Sequence, residues 1–305
     1  MIVRTPSDFR KQISAGGFDA RSPAAPRGVF LVEPASFSLA EQSASDNKYM
    51  NLDVEVDHQR AVEQHRALTE AIAACGIPVV RFPGRAETPD DIYPNNVFAT
   101  AAGKFIVGAM YHPVRQREAG RADIRAFFTK LLGYETVDLS GRDLVAELTG
   151  VLIVDRARRI GYCGMTNRVD DAGCQAMHEA FDLALTFQFD LAANEYHTNI
   201  AMSVLSSRAL VICPEAFADP EVPAAIGAAF PDRTLELSRA EKEAFAGNII
   251  ALSDRDLFIS QTAVDALVPE KLDRLREWDF EIHAVELDEI EKAGGSLRCC
   301  VAEIY

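Results

Sequence analysis

Four short segments of the chain combine polar side chains with glycine or proline in a way that a packed core does not require. They are DDIYPNNVFAT at 90–100, ELTG at 147–150, YHTN at 196–199 and GGSLRCC at 294–300. Between them they contain a carboxylate, an imidazole and a thiol. A thiol can act as a nucleophile and an imidazole as a general acid/base, so these segments are the first candidates for catalysis.

Each segment also has a purely structural explanation on local evidence. Asn and Asp are common in turns, so 90–100 also fits a capped loop. A carboxylate at a strand end, such as Glu147, is usually solvated, and a lone histidine such as His197 is more often a hydrogen-bonded core residue than a base. The cysteines of the last segment also fit small core residues.

The C-terminal segment gives the most specific local prediction. Gly294 and Gly295 permit a positive φ or a close backbone approach. We predict that Cys299 then enters the final strand at 298–305, beside a cleft. Because side chains alternate along a strand, Cys300 is expected to point to the opposite face.

Several cofactor sites lose their usual sequence support. The chain has no H-x-x-x-H, H-E-x-x-H or paired C-x-x-C spacing, so a metal site would need fully scattered ligands. It also has no G-x-G-x-x-G after a first strand and no G-x-x-x-x-G-K-[ST]. We therefore predict that the protein uses no metal and no cofactor.

The composition narrows the class of partner. The 305 residues include 31 Lys and Arg against 46 Asp and Glu, a formal net charge of −15. This balance argues against nucleic acid and anionic membranes as partners. It leaves a small-molecule substrate and homo-oligomer formation open and says little about which substrate that is. No apolar run is long enough to span a membrane, no signal peptide is visible, and the six cysteines are scattered, so we predict a cytoplasmic protein.

The elements that must position these residues alternate along the chain. Apolar spacing predicts helices near 58–75, 119–132, 172–184, 239–246 and 269–277, with short apolar strands between them. This alternation predicts an α/β protein, and no linker divides it, so we expect residues 1–305 to form a single domain. The spacing allows about five strand–helix units, which fits either a propeller or an open doubly wound sheet.

Taken in order, the four segments resemble the guanidine-modifying (amidinotransferase/arginine deiminase) superfamily. The resemblance implies a five-bladed pseudo-symmetric β/α propeller of the pentein type. It also implies that Cys299, in the G-G-x-x-x-C pattern, is the nucleophile and that His197 is the general acid/base. Glu147 matches the carboxylate of the E-G-G-D motif, although Leu148 and Val151 replace its first Gly and its Asp.

The resemblance also implies which residues bind the amino-acid end of a substrate. The segment MYHPVRQRE assigns Arg115 or Arg117 to the substrate carboxylate, and MTNRVD adds Arg168. Such pairs are strong because a guanidinium can bind a carboxylate through two hydrogen bonds. In the first segment, Asp91 and Asn95 are the further predicted substrate ligands.

Two departures from the deiminase pattern bear on the substrate. Asn96 and Asn199 stand where arginine deiminases have aspartates that bind the guanidinium. An amide offers both a donor and an acceptor, which suits a neutral ureido group better than a cation. We therefore expect the citrulline ureidase (citrulline hydrolase) branch, in which L-citrulline and water give L-ornithine, carbon dioxide and ammonia.

Two other functions remain open. One is an arginine deiminase or a dimethylarginine dimethylaminohydrolase-like enzyme, which shares the nucleophile but acts on a guanidino group. The other is a non-catalytic protein that binds ureido or guanidino amino acids in the same cleft.

Overall fold

The computed structural model describes residues 1–35 and 37–305. Over these residues the chain forms sixteen strands: β1 (Ile2–Val3), β2 (Gly28–Val32), β3 (Val79–Phe82), β4 (Phe98–Ala101), β5 (Lys104–Val107), β6 (Glu135–Asp138), β7 (Leu152–Asp155), β8 (Ile160–Met165), β9 (Leu185–Asp190), β10 (Met202–Leu205), β11 (Ala209–Ile212), β12 (Thr234–Glu236), β13 (Ile250–Ala251), β14 (Asp256–Ser260), β15 (Glu281–Val285) and β16 (Ala302–Ile304).

The same described residues contain fourteen α-helical segments: α1 (Pro6–Ala15), α2 (Glu41–Ala44), α3 (His58–Ala74), α4 (Pro113–Gln116), α5 (Ala122–Ala126), α6 (Leu148–Val151), α7 (Asp171–Ala180), α8 (Thr198–Ala201), α9 (Glu221–Gly227), α10 (Arg239–Glu243), α11 (Gln261–Ala266), α12 (Pro269–Glu277), α13 (Asp288–Glu291) and α14 (Leu297–Cys300). Short 3-10 turns at Pro94–Asn96, Arg117–Gly120 and Pro214–Ala216 and a π-helical turn at Phe127–Leu131 complete the helical elements. The predicted α/β class is confirmed.

The strands form five sheets that share one pairing pattern. In order, the sheets are β4-β5-β6, β1-β9-β8-β7, β10-β11-β12, β13-β14-β15 and β16-β2-β3. In each sheet one strand pairs antiparallel with a middle strand, and the middle strand pairs in parallel with the next one along the chain. The last sheet joins the two ends of the described chain, with Ala302 of β16 opposite Phe30 of β2.

The longest helix shows why the sequence pattern predicts these elements well. The Asp57 side chain accepts a hydrogen bond from the backbone N–H of Arg60 and so caps α3. Residues such as Leu68 and Ile72 turn inwards and are fully buried. The chain leaves the helix through Gly76, whose φ of +76° favours glycine. The prediction at 58–75 is confirmed.

Two local predictions are wrong. The helix expected at 119–132 is broken into the Arg117–Gly120 turn, α5 and the Phe127–Leu131 π-turn. The strand expected at 298–305 is shorter, because residues up to Cys300 form the helical turn α14 and only β16 is extended. Cys299 and Cys300 are therefore both buried in one helical turn, and the strand alternation expected for them does not apply.

The turn α14 is one of four that precede the antiparallel strand of a sheet. The Pro94–Asn96 turn leads to β4, α6 to β7, α8 to β10 and α14 to β16. A single helical turn has too few residues for a helical period to stand out from the apolar strand that follows it. This is why the final segment predicts a longer strand than the structure has.

Within the described part of the chain, the structure contains no helix with the length and apolar character needed to cross a membrane.

Candidate active site

The four helical turns that precede the sheets carry the predicted catalytic residues. The turn α6 contacts both α8 and the Pro94–Asn96 turn, which in turn contacts α14. Glu147 immediately precedes α6, His197 immediately precedes α8, and Cys299 lies in α14. Residues that are far apart in the sequence are therefore gathered at one place because each stands at the same point of a repeated unit.

Glu147 and His197 form a buried ion-paired or hydrogen-bonded couple. The Oε2 atom of Glu147 lies 2.8 Å from Nε2 of His197, and its carboxylate also accepts hydrogen bonds from Arg168 at 3.2 and 3.3 Å. Its Oε1 accepts the backbone N–H of Tyr111 at 3.1 Å. Burial alone would raise the pKa of Glu147, but Arg168 and His197 outweigh it and hold that pKa below its usual value. Glu147 is therefore ionised.

The contact with Glu147 determines how His197 can act. Because a carboxylate only accepts hydrogen bonds, Nε2 of His197 carries a proton, and Nδ1 of the neutral ring is left as an acceptor. Nδ1 is buried and has no hydrogen-bond partner among the described residues. Burial lowers the pKa of His197 below its usual value, although Glu147 acts in the opposite direction. The ring is thus set up as a base through Nδ1.

The segment ELTG ends in Gly150, and the close packing at this position explains the need for glycine. A Cβ atom at this position would lie 2.8 Å from Oδ1 of Asn96 and 2.9 Å from Cε1 of His197. Such distances are shorter than real Cβ atoms show, so a side chain would displace one of these two residues. The missing side chain lets α6 pack directly against both the imidazole and the amide.

Cys299 is almost fully buried and is surrounded by amide groups. Its Sγ lies 3.4 Å from Nδ2 of Asn248 and 3.6 Å from Nδ2 of Asn199. Burial raises the pKa of this thiol above its usual value, and the N–H groups around it, including Asn248 and Asn199, lower it in part. The thiol therefore rests in its neutral form, while the amides are placed to stabilise the thiolate once it forms.

The two glycines before Cys299 are needed for different reasons. Gly294 has a φ of +76°, in the left-handed region, and it also packs against the side chain of Asn47. Gly295 has no such φ, but a Cβ there would lie 2.8 Å from the ring of Tyr93. Both predicted roles, a positive φ and a close approach, are confirmed.

A small cavity of about 20 Å³ lies against these residues. Its lining consists of Ser43, Asn47, Met50, Asp90, Tyr93, Asn96, Arg115, Arg168, Tyr196, His197, Ala293, Gly295 and Cys299. Glu147 is fully buried and does not line the cavity, but it contacts two residues that do, His197 and Arg168.

Of two neighbouring aspartates, the cavity is lined by Asp90 and not by the predicted Asp91. Asp91 turns away and bonds with Thr88 at 2.8 Å and with Arg121 at 3.0 Å. Asp90 accepts a hydrogen bond from Ser43 through Oδ2, while its Oδ1 is buried with no partner among the described residues. Burial raises the pKa of Asp90. The assignment of Asp91 to the substrate is therefore replaced by Asp90.

The structure also separates the two candidate arginines of the segment at 110–118. Arg115 is buried and lines the cavity, whereas Arg117 is exposed. Nε and Nη2 of Arg115 bind Glu118 at 2.6 and 2.8 Å, and within the described residues Nη1 makes no hydrogen bond. Arg115 is thus held in place by Glu118, with one nitrogen left for a ligand.

Arg168 lines the cavity and is bound by a carboxylate from the 41–50 segment. Its Nε and Nη2 donate to the two oxygens of Asp46, the first at 2.8 Å. Asp46 also contacts Nε2 of His112 at 3.0 Å. This two-pronged contact has the geometry that a substrate carboxylate would adopt on the same arginine.

Two other asparagines predicted to bind the substrate, Asn95 and Asn199, do not line the cavity. Asn95 is buried, and neither oxygen nor nitrogen of its amide has a partner among the described residues. Asn199 places its amide on the sulfur of Cys299. Asn96 does line the cavity, and its Oδ1 has no partner in the described part of the chain.

Three site residues were not predicted from the sequence. They are Asp90, Asp46 and Asn248. Asp46 and Asn248 belong to no recognisable motif, and only their long-range contacts identify them. Asp90 stands six residues before Asn96, but nothing local distinguishes it from Asp91.

A family model described as "N,N dimethylarginine dimethylhydrolase, eukaryotic" matches residues 33–305. The chain is 26% identical over 289 residues to N(G),N(G)-dimethylarginine dimethylaminohydrolase of Mycobacterium tuberculosis, an alignment that covers 95% of this chain and 89% of that protein. It is 24% identical over 253 residues to the bifunctional arginine dihydrolase/ornithine cyclodeaminase ArgZ of Synechocystis, covering 81% of this chain and 33% of that protein.

A solved structure extends the likeness to the fold. The N-terminal domain of ArgZ, covalently bound to a reaction intermediate, superimposes with a TM-score of 0.78 at 21% identity. The match covers 91% of this chain and 97% of that domain. At this identity the comparison shows a shared fold, that of the pentein type.

Replacing Glu147 with Gln tests its role behind His197. Glutamine keeps the volume and one acceptor but removes the charge that stabilises a protonated imidazole, so we expect kcat to fall by about 100-fold or more. Glu147 raises the pKa of His197, so its loss should lower that pKa further and move the acid limb of kcat/KM to lower pH. The pH–rate profile measures both effects, with the exposed Glu135→Gln as control. An acid limb that stays in place would contradict this role.

Replacing Gly150 with Ala tests the close packing of α6. The added methyl group should displace Asn96 or His197 and reduce kcat about tenfold or more, while circular dichroism shows an unchanged fold. Gly141→Ala is the matched control, because a Cβ there meets nothing within 4 Å. Equal activity of the two variants would show that this packing does not position the site.

Proposed function

The chain belongs to the N,N dimethylarginine dimethylhydrolase family, and we propose that it hydrolyses the guanidino group of an arginine-type amino acid. The reaction breaks a carbon–nitrogen bond of that group and passes through a covalent bond to Cys299. The family lies within the guanidine-modifying superfamily, so the resemblance predicted from the four segments is confirmed.

The choice of substrate rests on buried polar atoms of the cavity-lining residues that have no hydrogen-bond partner among the described residues. Three buried atoms without partners in the described chain belong to residues that line the cavity, and all three are acceptors: Oδ1 of Asp90, Oδ1 of Asn96 and Nδ1 of His197. Buried polar atoms are normally hydrogen-bonded, so they indicate a ligand that brings N–H groups. A guanidinium carries only donors, which makes it the best match to this set.

The charges around the cavity support a cationic ligand. Arg115 is already paired with Glu118, and Arg168 is paired with Glu147 and Asp46. Asp90, by contrast, forms no ion pair within the described residues, and burial raises its pKa. A guanidinium or ammonium group beside Asp90 would favour its ionised form. A single unpaired carboxylate in the cavity thus attracts one positive group of the substrate.

The proposed reaction starts with the neutral thiol and the neutral imidazole. Cys299 Sγ attacks the guanidino carbon, and the thiol proton passes to Nδ1 of His197. His197 then donates this proton to the departing nitrogen, which leaves as an amine and breaks the carbon–nitrogen bond. Glu147 stabilises the imidazolium formed between these steps.

A second half-reaction releases the product. Nδ1 of His197 removes a proton from water, and the resulting hydroxide attacks the carbon bonded to sulfur. When the carbon–sulfur bond breaks, the thiolate recovers the proton from His197. For arginine the overall change is arginine plus water to citrulline plus ammonia. Asn248 and Asn199 stabilise the thiolate each time it appears.

A second candidate is hydrolysis of L-citrulline to L-ornithine, carbon dioxide and ammonia, which Asn96 favours. This residue presents an amide to the cavity, and an amide can donate to the ureido oxygen as well as accept from its N–H groups. The same nucleophile and base would serve both reactions. The relative ArgZ is named an arginine dihydrolase, which is compatible with both substrates being accepted.

We further infer that the five sheets are blades of one propeller formed by residues 1–305 and that this is a single catalytic domain. The repeated pairing pattern supports this arrangement, as does the sheet shared by the two ends of the described chain. Contacts of β10 with both β7 and β13, and of β16 with β4, place the antiparallel strands next to one another.

Parallel assays with arginine, N,N-dimethylarginine and citrulline, each with identification of the product, test the function. We expect citrulline from a guanidino substrate, and no product from Cys299→Ser. Cys213→Ser is the matched control because Cys213 lies outside the cavity, and it should keep full activity. Ornithine from citrulline without turnover of either guanidino substrate would favour the second candidate, and binding without any turnover would favour a binding protein.

The contact between Asp46 and Arg168 predicts a change in substrate affinity. If Arg168 binds the substrate carboxylate, that carboxylate must displace Asp46, and Asp46→Asn weakens the competitor. We expect KM for the substrate to fall several-fold with kcat nearly unchanged, measured by steady-state kinetics. A rise in KM would instead mean that Asp46 contacts the substrate itself.

A further inference from the structure

A group of three metal-ligand side chains lies away from the active-site cavity. Cys75 follows the C-terminal end of α3, Asp256 begins β14, and His283 lies in β15. The Sγ of Cys75 is 3.5 Å from Nε2 of His283, and the same Nε2 is 2.9 Å from Oδ1 of Asp256. The three ligand atoms lie within 4.8 Å of one another, and none of these residues lines the cavity.

The separations fit a tetrahedral metal ion. Zinc–sulfur and zinc–nitrogen bonds of about 2.3 and 2.0–2.1 Å at the tetrahedral angle place the two ligand atoms about 3.5 Å apart. The observed distance between Sγ of Cys75 and Nε2 of His283 is 3.5 Å. The oxygen of Asp256 lies 2.9 Å from Nε2 of His283, which is closer than the roughly 3.3 Å expected between two ligands of one zinc ion.

The arrangement favours a metal ion over a second catalytic triad. A triad needs a histidine that contacts the nucleophile with one ring nitrogen and the carboxylate with the other. Here the closest contacts of both Cys75 and Asp256 are to the same atom, Nε2 of His283. The three groups therefore converge on one point, as ligands do, and do not form a relay.

The surroundings hold the ligands in place and favour a cation. Ser253 donates to Oδ2 of Asp256 at 2.5 Å, so Oδ1 is left to face the other two ligands, and the ring of His283 stacks on Phe258 with centroids 4.9 Å apart. Within the described residues, no Lys or Arg pairs with Asp256.

We propose that Cys75, Asp256 and His283 form a binding site for Zn²⁺ or a similar divalent transition metal ion, with water as the fourth ligand. Asp256 and His283 are partly exposed, which leaves a position for that water. A thiolate, an imidazole and a carboxylate together are a typical zinc ligand set. Because Cys75 and His283 are 208 residues apart, no spacing in the sequence reveals the site.

The position of the site predicts a structural role. Cys75 extends α3, which packs against both β3 and β15, while Asp256 and His283 belong to the β13-β14-β15 sheet. A metal ion held by all three would fasten the end of α3 to the β13-β14-β15 sheet. It would therefore stabilise the folded chain by binding only to it. This role is independent of the proposed function.

Titration with Co²⁺ in a Cys299→Ser background tests the site, because this background removes the active-site thiol. We expect one Co²⁺ per chain with thiolate-to-cobalt charge-transfer absorption, and at least a tenfold loss of affinity in the added Cys75→Ser and His283→Gln variants. Adding His58→Gln, an exposed histidine of α3, is the matched control and should leave binding unchanged. Absence of the band in the Cys299→Ser protein, or its persistence without Cys75, would overturn the proposal.

A second measurement does not depend on the added variants folding. Iodoacetamide is added to the Cys299→Ser protein with and without Zn²⁺, and peptide mass spectrometry follows Cys75. We expect Zn²⁺ to slow alkylation of Cys75 at least tenfold and to raise Tm. Equal alkylation rates at saturating Zn²⁺ would overturn the proposal.

Discussion

A buried ionised carboxylate is stable only when charged or hydrogen-bonding groups surround it. Glu147 is such a carboxylate, because it is fully buried, and the groups that surround it form the candidate active site. Its partners are the ring of His197, the guanidinium of Arg168 and the backbone of Tyr111. The first contact fixes which nitrogen of His197 carries the proton, and the second holds an arginine that lines the cavity. The surroundings of one buried charge therefore fix the positions of both side chains, and Gly150, in the short turn after Glu147, packs against His197 and Asn96.

The ligand class follows from what is left unpaired once this network has formed. The whole chain carries an excess of acidic residues, but Asp90 is the only acidic residue in the lining of this cavity among the described residues. Inside the cavity the arginines already have carboxylate partners, and the unpartnered acceptors of Asp90 and Asn96 remain. A donor-rich guanidinium satisfies them directly, whereas a ureido group needs the amide of Asn96 to turn. For this reason we favour a guanidino substrate over citrulline. The replacement of two aspartates by Asn96 and Asn199, taken alone, favours citrulline.

Much of the fold and of the catalytic set is predictable from the sequence, because each signal is local. Capped amphipathic helices such as α3 are read from spacing and from Asp57 and Gly76. The order of the four polar segments predicts that Cys299, His197 and Glu147 act together. The structure differs from the prediction where the result depends on the direction of a side chain or on a contact between distant residues, because local sequence patterns contain neither. Nothing in the sequence shows which of Asp90 and Asp91 turns inwards, that Cys299 lies in a helical turn, or that Asp46 reaches Arg168.

We propose that Cys299 forms a covalent bond with the carbon of the substrate during turnover. Acid quenching during turnover of arginine, followed by peptide mass spectrometry, tests it most directly. We expect the peptide that contains Cys299 to gain the mass of the amidino-linked intermediate, and we expect no gain on that peptide in Cys299→Ser or at the neighbouring Cys300. An adduct on Cys300, or steady turnover of arginine by Cys299→Ser, would show that Cys299 is not the nucleophile.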